Sequence, residues 1–352
     1  MAWIRKLLLV AFTGLNLLSC EFIGENVTDD RDEVIGMIDQ LLEKNYADGH
    51  FNGVALVAYG DTVYMKATGM SNHRANLNMK VDHVFYLGSL AKQFTGMAVM
   101  LLEADGKLAF DDKVVSYVPE LPQFCSEITI RQLLNHTSGL PDYYEMGLFK
   151  SGMTNQMVVE GLRGISTLEF EPGTKYNYSN SGYVLLSVII ERVSGISYGR
   201  FLKDRIFVPL EMSHTIVYDT TRPRLPARAL GFNSSGVLDD YNAYTTGGGG
   251  IFSNVKDLYA WVRALDKERI LKMDKMEEAY RPVALPNDST SWYGFGWMLD
   301  KKRPEIVMHS GSLVGYRTYL YRDRKTGTVV ILLSNHSNNV KRLNEEIVAL
   351  LP

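Results

Sequence analysis

Residues 53–68 read Gly-Val-Ala-Leu-Val-Ala-Tyr-Gly-Asp-Thr-Val-Tyr-Met-Lys-Ala-Thr, which predicts two β-strands joined by a tight turn. The strands are residues 53–59 and 62–68, and the Gly60-Asp61 pair between them is typical of a hairpin. Because strand-like runs return near the C-terminus, we expect both ends of the chain to contribute to one antiparallel sheet. These later runs lie at 294–299, 305–309, 316–321 and 328–333.

Helical patterns flank the strands and fill the middle of the chain. Apolar residues recur at helical intervals from 33 to 45 and again through Val340 and Leu350, and helical patterns dominate 90–271. The sequence therefore predicts an α/β (α+β) fold, in which terminal helices flank the sheet and an all-helical lobe is inserted between its strands. We place the sheet lobe at about 33–86 and 291–352, and the helical lobe at about 87–290.

The overall composition narrows the class of protein. The chain has 352 residues, 46% of them hydrophobic, and a formal net charge of −3. This is enough apolar material for a buried core, and we expect one domain of two lobes over 33–352. The charge balance offers no basic surface and excludes nucleic acid as a partner. The spacing of Cys20 and Cys125 matches no zinc or redox pattern, so we expect no metal or other cofactor.

The first residues have the pattern of an export signal. Two basic residues precede an apolar run at 7–18, which is too short to span a bilayer. Residues 17–20, Leu-Leu-Ser-Cys, resemble a bacterial lipobox, in which the signal is cleaved before a cysteine that is then acylated. We expect a signal peptide at 1–19 and a lipid anchor and tether at 20–32, giving a lipoprotein that faces the periplasm or cell surface and touches the membrane through its lipid only. The alternative is an ordinary signal peptide in which Cys20 is incidental.

Ser89 and Lys92 form a Ser-x-x-Lys motif at the start of an apolar helical run. Residues three apart lie on one face of a helix, so the lysine amine can sit beside the serine hydroxyl and, when partly buried, act as a neutral base toward it. The motif alone is weakly specific, since chance supplies about one copy in such a chain. A second copy occurs at Ser253 and Lys256, so other residues must decide between the two.

Tyr178-Ser179-Asn180 favours the first copy, because this Tyr-x-Asn motif is the only one in the chain and lies between Ser89 and Ser253. A tyrosine held near a lysine can relay a proton, and an asparagine side chain can donate a hydrogen bond to a substrate amide. Tyr178 is therefore a candidate catalytic residue, and Asn180 a candidate substrate-binding residue.

His309-Ser310-Gly311 ends a predicted strand and is the third candidate motif. A small residue followed by glycine allows a substrate backbone to lie along the strand edge. The next backbone NH, that of Ser312, can help to bind an oxyanion. We predict that His309, Ser310 and Gly311 contact the substrate.

A rival nucleophile is Ser197, because residues 195–199 match the Gly-x-Ser-x-Gly elbow of α/β-hydrolases. That elbow requires a preceding strand. The apolar residues from Leu185 to Val193 instead recur at helical intervals, and Gly195 is placed to end that helix. The pattern argues against Ser197 as the nucleophile.

In this order, the three motifs resemble those of the serine β-lactamase-related hydrolases: class C β-lactamases, DD-carboxypeptidases, and the esterases and D-aminopeptidases of that group. The connecting sequence is similar too, including Ile-Thr-Ile-Arg-Gln-Leu-Leu at 128–134, His-Thr-Ser-Gly-Leu-Pro at 136–141 and Pro-Gly-Thr at 172–174. The resemblance extends from about Val34 to the end of the chain. It implies a β-lactamase/transpeptidase-like fold with the active site between the lobes.

The resemblance also implies a role for each candidate residue. Ser89 is the acylated nucleophile, and Lys92 and Tyr178 share the base and proton-relay roles. Asn180 orients the substrate, and the oxyanion hole is made by the backbone NH groups of Ser89 and Ser312. Which of Lys92 and Tyr178 removes the first proton is left open.

His309 departs from the related β-lactamases, which usually have lysine at this position. A histidine is largely neutral near pH 7, so we expect weaker attraction for the carboxylate of a β-lactam. The sequence favours a serine hydrolase that forms an acyl-enzyme on a D-amino-acid peptide, amide or ester, and the cell wall is one expected source of such substrates. The alternatives are a class C type β-lactamase and a non-catalytic envelope protein that binds penicillin or peptidoglycan.

Overall fold

The computed structural model describes residues 30–225, 227–286, 288–336 and 340–352. The predicted signal peptide and Cys20 lie outside these residues. The helices are α1 (Asp30–Ala47), α2 (Lys92–Ala104), α3 (Ile130–Leu134), α4 (Asn155–Arg163), α5 (Asn180–Ser194), α6 (Tyr198–Leu202), α7 (Val255–Asp266), α8 (Met273–Met276) and α9 (Val340–Leu350). The strands are β1 (Gly53–Tyr59), β2 (Thr62–Thr68), β3 (Met70–Asn72), β4 (Leu77–Asn78), β5 (Phe85–Tyr86), β6 (Ile216–Val217), β7 (Ile251–Ser253), β8 (Val283–Ala284), β9 (Thr290–Ser291), β10 (Met298–Leu299), β11 (Ile306–Leu313), β12 (Tyr316–Asp323) and β13 (Val329–Ser334).

The main sheet joins the two ends of the chain, as the sequence predicts. Its six strands have the order β10-β11-β12-β13-β1-β2, and each neighbouring pair is antiparallel. The β1–β2 hairpin has the predicted bounds. Strand β1 also pairs with β13, with Gly53 opposite Ser334. The N-terminal hairpin therefore completes a sheet that the last strands begin.

Both faces of strand β1 are buried. Val54, Leu56 and Ala58 of β1 belong to the large core shared with the helical lobe, whereas Ala55 and Val57 face a smaller core under α1 and α9. Alternate residues of a strand point to opposite faces, so a strand covered on both sides is apolar along its whole length. The terminal helices thus flank the sheet as the sequence predicts.

The helical lobe is built around α5, which contacts α2, α3, α4 and α6. Helix α2 is buried from Lys92 to Leu102, so the motif at its start lies at the junction of the lobes. Helix α7 falls within 87–290 but packs against β13 and β1, and its Trp261 donates a hydrogen bond to Gln93 of α2. By its contacts, α7 covers the sheet rather than belonging to the helical lobe.

One strand is much shorter than the sequence predicts. Of 294–299, the structure forms a strand only at Met298–Leu299. A Cβ atom at Gly294 would lie 1.9 Å from the carbonyl oxygen of Ala279, and one at Gly296 would lie 2.5 Å from that of Lys92. The prediction of a full strand is wrong because these glycines form a turn that presses against neighbouring backbone.

Candidate active site

Ser89 lies just before α2, in a turn that contacts strand β11. It is part of a single 3-10 turn, Gly88–Ala91, that leads directly into the helix. Gly88 has φ +57°, and a Cβ there would lie 2.7 Å from the backbone nitrogen of Ser312. A Cβ at Gly311 would lie 2.0 Å from the carbonyl oxygen of Leu87. Glycine at both positions lets the turn and the strand approach closely, which brings Ser312 beside the serine.

The amine of Lys92 connects three separate segments of the chain. Its Nζ donates to Ser89 Oγ at 3.0 Å, to Asn180 Oδ1 at 2.8 Å and to the carbonyl oxygen of Gly248 at 2.9 Å. Burial lowers the pKa of Lys92 to about 7, and the negative charge of Asp142 opposes part of this shift. A large fraction of the amine is therefore neutral near pH 7 and able to accept the Ser89 proton.

Tyr178 packs beside this amine, with its ring centroid 4.8 Å from Lys92 Nζ. Burial raises the pKa of Tyr178 well above its ordinary value, and its interaction with the Ser89 hydroxyl offsets this only in part. Among the described residues, the phenol oxygen has no partner at full hydrogen-bonding geometry. A phenol that stays protonated suits relaying a proton better than removing the first one, whereas the Lys92 amine is partly neutral near pH 7.

His309 is buried, with 1% of its surface exposed, and both ring nitrogens are occupied within the protein. Its Nδ1 donates to the carbonyl oxygen of Ser310 at 2.7 Å, and its Nε2 accepts from the Tyr293 hydroxyl at 2.8 Å. Burial, together with the nearby Lys92, lowers the pKa of His309 to about 3, so the ring is neutral. His309 is predicted to contact the substrate, and its two ring nitrogens are engaged by Tyr293 and Ser310.

A cavity of about 360 Å³ opens beside Ser89, between the two lobes. Ser89, Asn180 and Ser312 supply polar groups to its wall, which no charged side chain lines among the described residues. Its remaining walls include Tyr143, Tyr144, Val184, Leu313 and Val314. Thr245 and Thr246 also line the cavity, so hydrogen-bonding groups and apolar side chains share its wall.

The neighbouring strand edge is open for a substrate backbone. Strand β10 pairs only with Val307 and Met308 of β11, and no other described strand pairs with that outer edge of the sheet. Residues from His309 to Leu313 therefore keep a free edge. Gly311 packs against the turn before Ser89, and Ser310 is half-buried. The free edge is where the sequence predicts that the substrate backbone lies.

Sequence reasoning did not predict the role of Gly248. Glycine fills positions 247–250, and the carbonyl oxygen of Gly248 is the third acceptor for Lys92 Nζ. A Cβ at Gly248 would lie 3.4 Å from Lys92 Nζ, and one at Gly249 would lie 2.3 Å from the Tyr86 hydroxyl. The four consecutive glycines were the available signal of a close approach to the site.

The second Ser-x-x-Lys copy does not form such a pair. Ser253 is fully buried, and its hydroxyl lies 2.7 Å from that of Thr215. Lys256 instead forms an ion pair with Asp82 at 2.6 Å. Of the two copies, the one at Ser89 and Lys92 brings the serine hydroxyl and the lysine amine into contact.

Ser197, the serine of the Gly-x-Ser-x-Gly match, has a structural role. Ser197 caps the N-terminus of α6 by accepting a hydrogen bond from Arg200 N, and Gly195 ends α5 with φ +74°. The segment before Ser197 is a helix, so the geometry of an α/β-hydrolase elbow is absent at this position of the described chain.

Cys125 is a buried free thiol, and burial raises its pKa to about 11. It therefore stays protonated and is a poor nucleophile. The described residues hold no group of three or more His, Cys, Asp or Glu side chains suited to a metal ion. None of the helices in that part of the chain is long and apolar enough to cross a membrane.

Comparison with known proteins identifies the family. A sequence profile of the Beta-lactamase family matches residues 38–351. Penicillin-binding protein 4* of Bacillus subtilis (strain 168) is 37% identical over 333 residues, covering 86% of this chain and 72% of that protein.

Two solved structures are similar along most of their length. The D-amino acid amidase of Ochrobactrum anthropi SV3 has a TM-score of 0.78 and 27% identity, covering 90% of this chain and 98% of that one. The D-stereospecific amidohydrolase from Streptomyces has a TM-score of 0.73 and 26% identity, covering 85% and 94%. With its sheet and helical lobe meeting at the Ser89 cavity, this chain belongs to the Beta-lactamase family of serine hydrolases.

Proposed function

We propose that this protein hydrolyses D-amino-acid amides, short peptides or esters through an acyl-enzyme on Ser89. The observation that carries the proposal is the contact of the Ser89 hydroxyl with a buried amine, that of Lys92, whose pKa is about 7. This is the arrangement by which a weak serine nucleophile is activated.

The reaction follows from the positions of these groups. Ser89 Oγ attacks the substrate carbonyl carbon and transfers its proton to Lys92, while the backbone NH groups of Ser89 and Ser312 bind the oxyanion. The tetrahedral intermediate then expels the amine or alcohol, which takes the proton back through Lys92 and Tyr178. A water molecule hydrolyses the acyl-enzyme by the same steps and releases the acid.

The cavity favours substrates without a carboxylate next to the scissile bond. No cation lines its described wall, and the neutral His309 supplies none. β-Lactams and C-terminal D-Ala-D-Ala peptides both present such a carboxylate, so we place them behind neutral amides and esters. Tyr143, Tyr144 and Leu313 supply an apolar surface for the acyl side chain. The similarity to a D-amino acid amidase and a D-stereospecific amidohydrolase supports the same substrate class.

The test is one panel of substrates with matched serine variants. The substrates are D-phenylalanine amide, L-phenylalanine amide, a D-Ala-D-Ala peptide, a short aryl ester and a chromogenic cephalosporin. We expect turnover of the D-amide and the ester, weak or no turnover of the cephalosporin, and loss of all activity in Ser89→Ala. Ser197→Ala is the control and keeps its activity. Wild-type turnover by Ser89→Ala contradicts the assignment, as does fast turnover of the cephalosporin alone.

We also propose that the protein is exported and anchored by a lipid on Cys20. The support is the basic and apolar pattern of residues 1–19 and the lipobox-like sequence at 17–20. This location gives the enzyme access to peptides and amides outside the cytoplasm, including those of the cell wall.

A further inference from the structure

Asp142 is a buried carboxylate that the proposed reaction does not use directly. Its side chain is 4% exposed, although it lies in the loop that also carries Tyr143 and Tyr144 of the cavity wall. Among the described residues, its carboxylate forms no ion pair within 4.0 Å. A buried charge without a neighbouring cation is costly unless several hydrogen bonds compensate it.

Those hydrogen bonds come from the start of α5 and from its own loop. Asp142 Oδ2 accepts from both the backbone nitrogen and Nδ2 of Asn180, the latter at 2.8 Å, and Oδ1 accepts from Tyr144 N at 2.8 Å. Ser181 links the same segments, because its Oγ donates to the Pro141 carbonyl and accepts from Tyr143 N. The carboxylate also lies at the positive N-terminus of a 15-residue helix.

These contacts fix which way the Asn180 amide points. With Nδ2 donating to Asp142, the amide oxygen Oδ1 must face the other way, where it accepts from Lys92 Nζ at 2.8 Å. An amide turned by 180° would place its oxygen against the Asp142 carboxylate, which is repulsive, and would leave Lys92 Nζ without this acceptor. Asp142 therefore reaches Lys92 through one intervening side chain.

We propose that Asp142 is a positioning residue of the active site, which orients the Asn180 amide toward Lys92 and holds a negative charge one side chain away from the amine. This inference rests on the proposed function, since it assigns Lys92 the role of base. The residue touches neither the substrate nor the reacting atoms. It acts on the reaction through Asn180 and through its charge.

Asp142 is the charged side chain that acts most directly on the Lys92 amine. Tyr178 and Tyr183 face Lys92 Nζ with their rings, at 4.8 and 5.3 Å. The two histidines nearby, His136 and His309, have pKa values lowered by burial and by Lys92, so both are neutral. Asp142 is thus the one full negative charge that raises the pKa of Lys92 among the described groups.

The experiment measures the pH dependence of Ser89 labelling by a fluorophosphonate probe, read by intact-protein mass. In this reaction Ser89 Oγ bonds to phosphorus, fluoride leaves, and the hydroxyl proton passes to Lys92. The labelling rate should therefore fall below the pKa of the amine. Asp142→Asn keeps an acceptor oxygen but removes the charge, and Asp142→Glu keeps the charge but displaces it.

We expect the midpoint of the acid limb to be near pH 7 in the wild type and about one pH unit lower in Asp142→Asn, because an attractive charge has been removed. Asp142→Glu should keep a midpoint close to that of the wild type while labelling more slowly. The control is Asp257→Asn, which removes another carboxylate, 6% exposed, that accepts hydrogen bonds from His214 N and Thr215 at a helix start in contact with the sheet. It should leave the midpoint unchanged.

A merely structural role would slow labelling at every pH without moving the midpoint. The inference is overturned if Asp142→Asn keeps the wild-type midpoint, or if the Asn and Glu variants shift it equally. If wild-type Ser89 is not labelled at all, the proposed function fails and the inference with it. A labelled wild type with an unmoved variant refutes the role of Asp142 alone.

Discussion

The buried amine of Lys92 should make the stability of the folded protein depend on pH in a defined direction. Its pKa is about 7 in the folded state, against an ordinary value of 10.5 in an exposed lysine. Between these values the unfolded chain binds one more proton than the folded one, so the free energy of unfolding rises as the pH rises. Below pH 7 both states are protonated, and the contribution of Lys92 to stability is lost.

The perturbation that isolates this effect is Lys92→Met, which keeps a long apolar side chain and removes the titrating group. From the two pKa values, the amine should add about 2 kcal/mol to the stability of the wild type between pH 7 and pH 9. The variant lacks this increase. It also leaves the acceptors on Asn180 and Gly248 unpaired. That loss is the same at pH 7 and pH 9, so it cancels when the stability difference between variant and wild type at pH 7 is subtracted from the difference at pH 9.

The assay is urea unfolding followed by tryptophan fluorescence at pH 7 and pH 9. The stability of Lys92→Met relative to the wild type should be about 2 kcal/mol less favourable at pH 9 than at pH 7. The control is Lys256→Met in the second Ser-x-x-Lys copy, where the side chain is 52% exposed and paired with Asp82. Its difference from the wild type should be nearly equal at both pH values. A difference for Lys92→Met that also stays constant would refute a lowered pKa and, with it, the neutral base.

Three further substitutions test the geometry of the site and the anchor. Gly311→Ala places a Cβ 2.0 Å from the Leu87 carbonyl oxygen, so it should slow fluorophosphonate labelling at least tenfold; a wild-type rate would show that the strand does not hold the serine turn. Tyr293→Phe removes the hydroxyl that donates to the buried Nε2 of His309 and should lower the unfolding free energy by about 1–3 kcal/mol; an unchanged urea midpoint would contradict that bond. Cys20→Ser should abolish incorporation of labelled fatty acid in cells, and a lipidated variant would argue against the anchor.

The parts of the fold that the sequence predicts are those set by local patterns. The β1–β2 hairpin depends on its own alternation and turn, and the motif of Ser89 and Lys92 depends on helical spacing, so both are visible in the chain. The orientation of His309 is different, because it depends on the Tyr293 hydroxyl, which arrives from a turn 16 residues earlier. No periodicity in the sequence reports such a contact.

The contributions of Gly248 and Asp142 were missed for a related reason. Gly248 supplies only a backbone carbonyl, and it lies 156 residues along the chain from Lys92. Asp142 supplies a carboxylate, and it lies 38 residues along the chain from Asn180. Glycine runs and single acidic residues have many structural uses, so neither identifies a partner before the chain is folded. The site residues that the sequence does predict belong to short motifs, in which residue types suited to the chemistry recur at a fixed spacing.

The neutral histidine at position 309 and the lysine with a pKa near 7 are physically connected. Burial removes water from the Lys92 amine, whereas its three acceptors and the charge of Asp142 favour the protonated form. A second cation in the same pocket would add repulsion and lower the pKa of Lys92 further, which would weaken it as a base toward the Ser89 hydroxyl. A neutral His309 avoids this repulsion, but it leaves the cavity without a charge to attract a carboxylate. In the proposed reaction, the same residue thus keeps the pKa of Lys92 near the value that suits a general base and favours amide and ester substrates that lack a carboxylate.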